Sequence, residues 1–279
     1  MSDVVELTLG HSPDPDDAFM FWALAKDRLA TGPYRFTHVL QDIQTLNDRA
    51  RRGELDITAI SVHAYAHVCG TYALLPAGAS MGDGYGPLVV APRVIPLAEL
   101  AGVTIAVPGL LTSAWLALRL AIGEFRHVVV PFDEILSRVK TGEFAAGLLI
   151  HEGQLTYGGE GLHCCLDLGV WWQDETGLPL PLGANAIHKR HAPARRREIS
   201  DLLTASIRLG LAHREEALAH ALGWGRGLDR ELADRFVGMY VNDWTLDFGP
   251  RGRQAVRELL ARGHAAGVIP TLIEPEFVD

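Results

Sequence analysis

Short apolar runs, rich in β-branched residues, alternate with longer amphipathic stretches along the first two thirds of the chain. The runs cover residues 4–9, 36–40, 57–60, 88–91, 103–107, 128–132, 146–150 and 184–187. Runs of this length are typical of strands, and stretches with apolar residues three or four positions apart are typical of helices. Strands that alternate with helices form βαβ units around mostly parallel sheets. The pattern therefore predicts an α/β fold with helices flanking the sheets.

The last third of the chain, after about residue 190, has helical periodicity only. Its apolar faces include Ile199, Leu203, Ile207, Phe236 and Leu259, and such helices must pack on a sheet formed earlier in the chain. We therefore predict two lobes: residues 1–93 with 188–279 form a discontinuous first lobe, and residues 94–187 form an inserted second lobe. The cleft between two such lobes is a usual place for a small ligand.

Composition narrows the function classes. The net charge of −9 gives no electrostatic reason to expect nucleic acid or an anionic membrane as partner. The three cysteines, Cys69, Cys164 and Cys165, lack C-x-x-C spacing, which argues against a disulfide framework or a zinc site. The first residues do not resemble a secretory signal, and no stretch reaches the roughly 18 apolar residues of a membrane span. We expect a cytoplasmic protein with a small-molecule ligand, and the sequence does not indicate an oligomeric state.

An acidic segment follows the first predicted strand. It contains Ser12, Asp14, Asp16 and Asp17 and directly precedes a helical pattern, at the edge where α/β proteins bind ligands. The carboxylates can simply cap the helix and complement its dipole. Asp17 can also accept hydrogen bonds from ligand hydroxyls, and Ser12 can donate one.

A second segment at a strand end contains Thr112 and Ser113. It lies between the run that ends at Val107 and an amphipathic pattern. The two hydroxyls stand where a helix N-cap belongs, and the free N–H groups of a first helical turn attract a carboxylate or phosphate. The segment predicts an anion site, or a plain cap without a ligand.

A third strand end carries His151. The strand is predicted to be buried, and a histidine at its carboxyl end points toward the same edge as the other two segments. Such a histidine can be a general base near neutral pH. The alternative is a structural histidine.

Two further patterns are weaker. His63 and His67 have i, i+4 spacing but no evident carboxylate or cysteine partner, so we predict no metal site. Gly223, Gly225 and Gly227 follow a helical pattern rather than a strand, and we interpret them as a helix end and not a nucleotide loop.

Together these motifs resemble a known family. They comprise residues 12–21, 42–47, 86–90, 107–114, 150–157 and 167–183, in this order. The chain resembles the 1,4-dihydroxy-6-naphthoate synthases of the futalosine pathway to menaquinone. That family has the two-lobed fold of the type II periplasmic binding proteins. The resemblance covers most of the chain up to about residue 185.

The resemblance implies roles for particular residues. His151 matches the family's proton-abstracting histidine, and Thr112, Ser113 and Ser61 match its substrate-binding positions. We also expect Ser12, Asp17 and Asn47, which lie in matching motifs, to bind substrate. The implied reaction is cofactor-free carbon–carbon cleavage of cyclic dehypoxanthinylfutalosine, a small-molecule carboxylate, to 1,4-dihydroxy-6-naphthoate, with the sugar-derived fragment leaving.

The chain departs from the family pattern at four positions. Asp14, Asp16 and Ala18 stand where the family usually has Cys, Asn and Thr, and Ala59 stands where it often has Lys. These departures indicate a divergent branch with a related substrate. The alternatives are a non-catalytic solute-binding protein or sensor of the same fold, and a sister enzyme such as the chorismate dehydratase that shares it.

Overall fold

The computed structural model describes residues 4–224 and 229–279. Gly225 and Gly227, which we interpreted as part of a helix end, lie outside the described residues, as do the first three residues of the chain.

Eleven strands form two sheets in the described part of the chain. They are β1 (Val5–His11), β2 (Tyr34–Leu40), β3 (Ile57–Ser61), β4 (Tyr72–Leu74), β5 (Ser80–Gly82), β6 (Leu88–Ala91), β7 (Thr104–Val107), β8 (Arg126–Val129), β9 (Ala146–Leu149), β10 (His163–Asp167) and β11 (Leu180–His188). All eight predicted strands are present, and the sequence pattern missed β4, β5 and β10. Their short or irregular apolar pattern is the reason, because periodicity needs several residues to show.

The first sheet has the strand order β2-β1-β3-β11-β4, with β5 also paired to β11. The β1 strand runs parallel to β2 and β3, whereas β11 is antiparallel to β3, β4 and β5. Gly183 lies opposite Ser61, and Asn185 lies opposite Ala59. This register brings the carboxyl end of β3 beside the middle of β11.

The second sheet has the order β10-β6-β9-β7-β8. Here β7 is parallel to β8 and β9, and β6 is antiparallel to β9 and β10. Our expectation of mostly parallel sheets was therefore wrong in this detail, because each sheet mixes both directions. The expectation counted on crossover helices, and antiparallel neighbours need none.

The chain crosses between the sheets after β5 and again before β11. The predicted lobe bounds at 93/94 and 187/188 fall beyond these crossings, since β6 belongs to the second sheet and most of β11 precedes residue 188. The division into two lobes as separate domains stays a prediction.

Fourteen helices flank the sheets in the same described residues. They are α1 (Pro15–Met20), α2 (Trp22–Ala25), α3 (Ile43–Arg51), α4 (Val62–Tyr65), α5 (Leu97–Leu100), α6 (Ser113–Ile122), α7 (Ile135–Lys140), α8 (Gly153–Thr156), α9 (Leu168–Thr176), α10 (Pro193–Ala212), α11 (Arg214–Ala221), α12 (Arg230–Tyr240), α13 (Asp243–Leu246) and α14 (Gly249–Ala265).

The C-terminal helices pack on the sheets, as the sequence pattern predicted. Ile199 and Ile207 of α10 belong to one apolar cluster with Leu7 and Leu9 of β1, and Leu259 of α14 belongs to a second cluster that includes residues of both sheets. Burial of these side chains provides most of the free energy that holds the helices on the sheets.

Within the described ranges, no helix is both long enough and apolar enough to cross a membrane.

Candidate functional site

A cleft opens at the strand ends of both sheets. It has about 770 Å³ of empty space, open mouth included. The residues that line it are Ser12, Asp14, Asp16, Asp17, Ile43, Ala59, Ile60, Ser61, Gly78, Ser80, Pro87, Thr112, Ser113, Ala114, Ile150, Leu182, Gly183, Ala184, Asn185, Phe236 and Tyr240. The acidic segment and the Thr112–Ser113 segment therefore meet at one cleft.

The acidic segment turns the chain from β1 into α1. The Ser12 N–H donates to Asp17 Oδ2 over 2.6 Å, and the Ser12 hydroxyl donates to Asp14 Oδ2. Asp14 is the N-cap residue of α1, yet its side chain makes no capping hydrogen bond. The plain capping interpretation therefore does not account for this carboxylate.

Two carboxyl groups of this segment hold protons more tightly than usual. Desolvation, followed by repulsion from Asp17 and Asp14, raises the pKa of Asp16 well above its ordinary value. Burial raises the pKa of Asp17 to about 7, although the hydrogen bond from the Ser12 N–H acts in the opposite direction. With a pKa of about 7, the Asp17 carboxyl is partly protonated near neutral pH, so it can donate as well as accept hydrogen bonds.

A buried histidine lies directly behind the acidic segment. His11 ends β1, its Nδ1 lies 3.0 Å from the Ser12 carbonyl, and its Nε2 lies 2.9 Å from Nδ1 of His38. Burial and the neighbouring His38 lower the pKa of His11 to about 4. His11 is therefore neutral near pH 7, with its proton on the nitrogen that faces the carbonyl.

Asn47 holds Ser61 in place. Its Nδ2 donates to Ser61 Oγ over 3.0 Å, and its Oδ1 accepts from the Ser61 N–H over 2.9 Å. Asn47 is fully buried and does not line the cleft. Because Ser61 Oγ already accepts a hydrogen bond from Asn47, the hydroxyl hydrogen of Ser61 is oriented away from that amide. Asn47 thus positions the hydroxyl that lines the cleft.

Thr112 caps α6, as the sequence predicted. Its Oγ1 accepts from the Trp115 N–H over 3.2 Å. The Ser113 hydroxyl donates to the Leu182 carbonyl of β11 and accepts from the His63 N–H over 3.2 Å. The first turn of α6 is thereby fastened to the first sheet, and Thr112, Ser113 and Ala114 at its start line the cleft.

The loop before α6 also contacts α3. Gln44 Oε1 accepts from the Leu111 N–H over 3.1 Å. A Cβ atom on Gly109 would lie 2.1 Å from the same oxygen, so only glycine allows this close approach.

His151 lies beside the cleft and not among its lining residues. Its Nδ1 accepts from the Gly153 N–H over 2.9 Å, and its Nε2 lies 3.0 Å from the Phe132 carbonyl. These partners fit a neutral ring with its proton on Nε2. Glu152 Oε2 lies 3.7 Å from Nδ1. The ring is buried, and its neighbour Ile150 reaches the cleft.

The structure thus brings together most of the predicted site residues. Ser12, Asp17, Ser61, Thr112 and Ser113 all line one cleft. Asn47 lies directly behind the cleft, bonded to Ser61. His151 also lies behind it, next to the lining residue Ile150.

Sequence reasoning missed three polar residues of the cleft, which are Ser80, Asn185 and Tyr240. Asn185 lies in the middle of β11 and is 1% exposed. Tyr240 ends α12, and its hydroxyl donates to Gln154 Oε1 of α8 over 2.7 Å. Burial raises the pKa of this phenol far above its ordinary value, so it stays protonated. A signal for Asn185 existed, because it is the one amide in the apolar run 184–187.

Comparison with solved structures defines the class of fold. The alkanesulfonate-binding protein SsuA from Xanthomonas axonopodis pv. citri is similar over 98% of this chain and 97% of its own, with a TM-score of 0.72 and 12% identity. SsuA from Escherichia coli is similar with a TM-score of 0.65 and 11% identity. At this identity the likeness concerns the fold alone. The chain has the periplasmic-binding-protein-like α/β fold, as predicted.

Sequence comparison shows the family. A family model described as "Menaquinone biosynthesis" matches residues 7–265, and the chain belongs to this family. It is 41% identical to a 1,4-dihydroxy-6-naphthoate synthase from Thermus thermophilus over 98% of this chain and 99% of that protein. It is 39% identical to the synthase of the same name from Streptomyces coelicolor, over 95% of each chain.

One solved structure is similar in both fold and sequence. Protein AF1704 from Archaeoglobus fulgidus has a TM-score of 0.91 and 45% identity, over 95% of this chain and 98% of its own. The resemblance that the motifs indicated is therefore confirmed, and it extends through the C-terminal helices.

Proposed function

We propose that this chain is a carbon–carbon lyase of menaquinone biosynthesis. It cleaves cyclic dehypoxanthinylfutalosine to 1,4-dihydroxy-6-naphthoate in the cytoplasm, with no organic cofactor or metal ion. The observation that carries the proposal is the match of about 40% identity to two synthases of that name over nearly the whole chain. The cleft supports it, since apolar residues such as Ile60 and Leu182 line it together with polar groups, which suits a ring system with a polar substituent.

The N-terminus of α6 is the proposed carboxylate site. The Thr112 hydroxyl already bonds the Trp115 N–H, so the N–H groups of Ser113 and Ala114, which line the cleft, are the proposed donors to the ligand. Peptide N–H groups and the helix dipole both favour an anion there.

His151 is the proposed general base. A proton taken from substrate must go to Nδ1, because Nε2 already carries one toward the Phe132 carbonyl. Nδ1 must therefore lose its hydrogen bond from the Gly153 N–H before it can accept the substrate proton. The Glu152 carboxylate, 3.7 Å from Nδ1, would stabilise the resulting imidazolium. This exchange requires a local shift of the 151–153 turn.

The test is incubation of the purified protein with cyclic dehypoxanthinylfutalosine and chromatographic detection of dihydroxynaphthoate. We expect His151→Ala to lower kcat by about 10²- to 10⁴-fold, the usual contribution of a general base. His163→Ala, at an exposed histidine of β10 away from the cleft, serves as the matched control and should keep the wild-type rate.

The outcomes separate the alternatives. Binding of the substrate without cleavage would favour a solute-binding protein or sensor, and absence of binding would refute both. An active enzyme in which His151→Ala keeps full rate would refute the base assignment alone.

A further inference from the structure

The carboxamide of Asn185 lies on the cleft face of the first sheet. In the β3–β11 register Asn185 lies opposite Ala59, and Gly183 lies opposite Ser61. Residues directly opposite each other point to the same face of an antiparallel pair. All four of these residues line the cleft, so the side chain of Asn185 projects from the same face as the hydroxyl of Ser61.

Its amide nitrogen is bonded and its oxygen is not. Nδ2 donates to the Gly78 carbonyl over 3.4 Å, whereas Oδ1 is buried and has no hydrogen-bond partner among the described residues. Gly78 has φ +85°, and a Cβ atom there would lie 2.0 Å from Nδ2. The glycine therefore allows the amide to pack closely on its backbone, and this contact directs the nitrogen toward Gly78.

No neighbour across the strand pair can supply a donor to Oδ1. The residue opposite is Ala59, whose methyl group has no polar hydrogen. A buried carbonyl oxygen without a donor is unfavourable, and at the wall of a cleft a ligand hydroxyl can supply the missing donor.

The proposed carboxylate site at the N-terminus of α6 contacts β11 at a different point from Asn185. Ser113 of α6 is bonded to the Leu182 carbonyl, and Asn185 follows Leu182 by three residues. At roughly 3.3 Å per residue, Leu182 and Asn185 are about 10 Å apart along β11. A ligand that reaches both needs an anionic group and a hydrogen-bond donor separated by about this distance.

We propose that Asn185 binds a hydroxyl group on the sugar-derived part of the substrate and so fixes the direction in which the substrate lies. The substrate carboxylate lies at the N-terminus of α6, and its hydroxyl-bearing part lies at Asn185 Oδ1. The acidic segment, which lines the same cleft, offers further polar groups to that part. This inference rests on the proposed function, because that function supplies a ligand with both groups.

The experiment compares two ligands on the same variants. Cyclic dehypoxanthinylfutalosine has the carboxylate and the sugar-derived hydroxyls, whereas 1,4-dihydroxy-6-naphthoate lacks the sugar part. We expect Asn185→Leu to raise KM for the substrate about tenfold, the effect of one lost hydrogen bond to a neutral group. The Kd of the naphthoate, measured by titration calorimetry, should stay within about twofold of the wild-type value.

Two more variants complete the design. Gln173→Leu removes an amide outside the cleft that also donates a single hydrogen bond, to Asp83, and should leave both values unchanged. Asn185→Ala removes the amide without adding apolar bulk, and it replaces Asn185→Leu if thermal melting shows that the leucine variant does not fold.

The outcomes are distinct. Equal weakening of both ligands, or no weakening of either, would overturn the role of Asn185 while an active wild-type enzyme leaves the proposed function standing. If wild-type protein neither binds nor cleaves the substrate, the proposed function fails and the role of Asn185 fails with it.

Discussion

Replacement of Asn47 by alanine tests whether this amide supports the cleft from behind. Asn47 has no exposed surface, and its two side-chain atoms bond the hydroxyl and the N–H of Ser61 over 3.0 and 2.9 Å. The variant loses both bonds and leaves the Ser61 N–H buried without a partner. Two hydrogen bonds at about 1 kcal/mol each, with a desolvation penalty of about 1–3 kcal/mol for the orphaned donor, give a range of about 2–4 kcal/mol after allowance for overlap.

That loss is measurable as a change in melting temperature. For a protein of this size 1 kcal/mol corresponds to about 2–4 °C, so we expect Asn47→Ala to lower Tm by roughly 4–16 °C. Thermal unfolding followed by circular dichroism is the assay. The control is Gln254→Ala, at an exposed amide of α14, which should change the free energy of unfolding by less than about 0.5 kcal/mol.

A result of less than about 1 kcal/mol for Asn47→Ala would refute the reasoning. It would mean that Ser61 finds other partners or that the two bonds contribute little. The predicted substrate-binding role of Asn47 would then have to be direct, although Asn47 does not line the cleft.

Two further variants test the electrostatics and the packing around the cleft. Burial raises the pKa of Asp17 from its ordinary 3.8 to about 7, so the folded protein binds more protons than the unfolded chain between about pH 4 and 7, and Asp17 makes the free energy of unfolding fall as pH rises. Asp17→Asn keeps an acceptor for the Ser12 N–H. Its free energy of unfolding should rise relative to that of wild type as pH increases from about 4 to 7. Neutral His11, with a lowered pKa of about 4, acts in the opposite direction. The test is therefore the difference between variant and wild type in the free energy of urea unfolding. A difference that does not change with pH would contradict the prediction. Gly169→Ala, in the first turn of α9, would place a methyl carbon 1.8 Å from the Tyr85 carbonyl oxygen. We expect a loss of at least about 2–3 kcal/mol in the same assay; wild-type stability would show that the segment at Tyr85 moves aside freely.

Local patterns in the sequence were sufficient for much of the fold. The eight apolar runs became strands, and the Thr112 hydroxyl caps α6 as its position before an amphipathic pattern predicted. The acidic segment lies at a strand end and lines a cleft, again as its place after an apolar run indicated. Each of these inferences depends on neighbours within about four residues.

The sequence pattern was insufficient where partners are distant in the chain. The antiparallel pairing of β11 with β3 joins residues more than 120 positions apart. Neither apolar run indicates whether the two strands pair in parallel or antiparallel. Asn47 and Ser61 were both predicted to bind substrate, yet their mutual hydrogen bonds place one behind the other. The same holds for His151, whose Nε2 contacts the carbonyl of Phe132, 19 positions earlier in the chain.

The sequence by itself therefore determined which segments are strands, which are helices and which strand ends carry polar groups. Only the tertiary structure decided which of those groups face the cleft and which are engaged by the protein. The physical reason is that secondary structure follows from periodicity along the chain, whereas the hydrogen-bond partner of a buried polar atom is chosen by strand pairing and packing over long separations. Asn185 shows this most clearly, since strand pairing places Ala59 opposite it and its side-chain oxygen has no partner among the described residues.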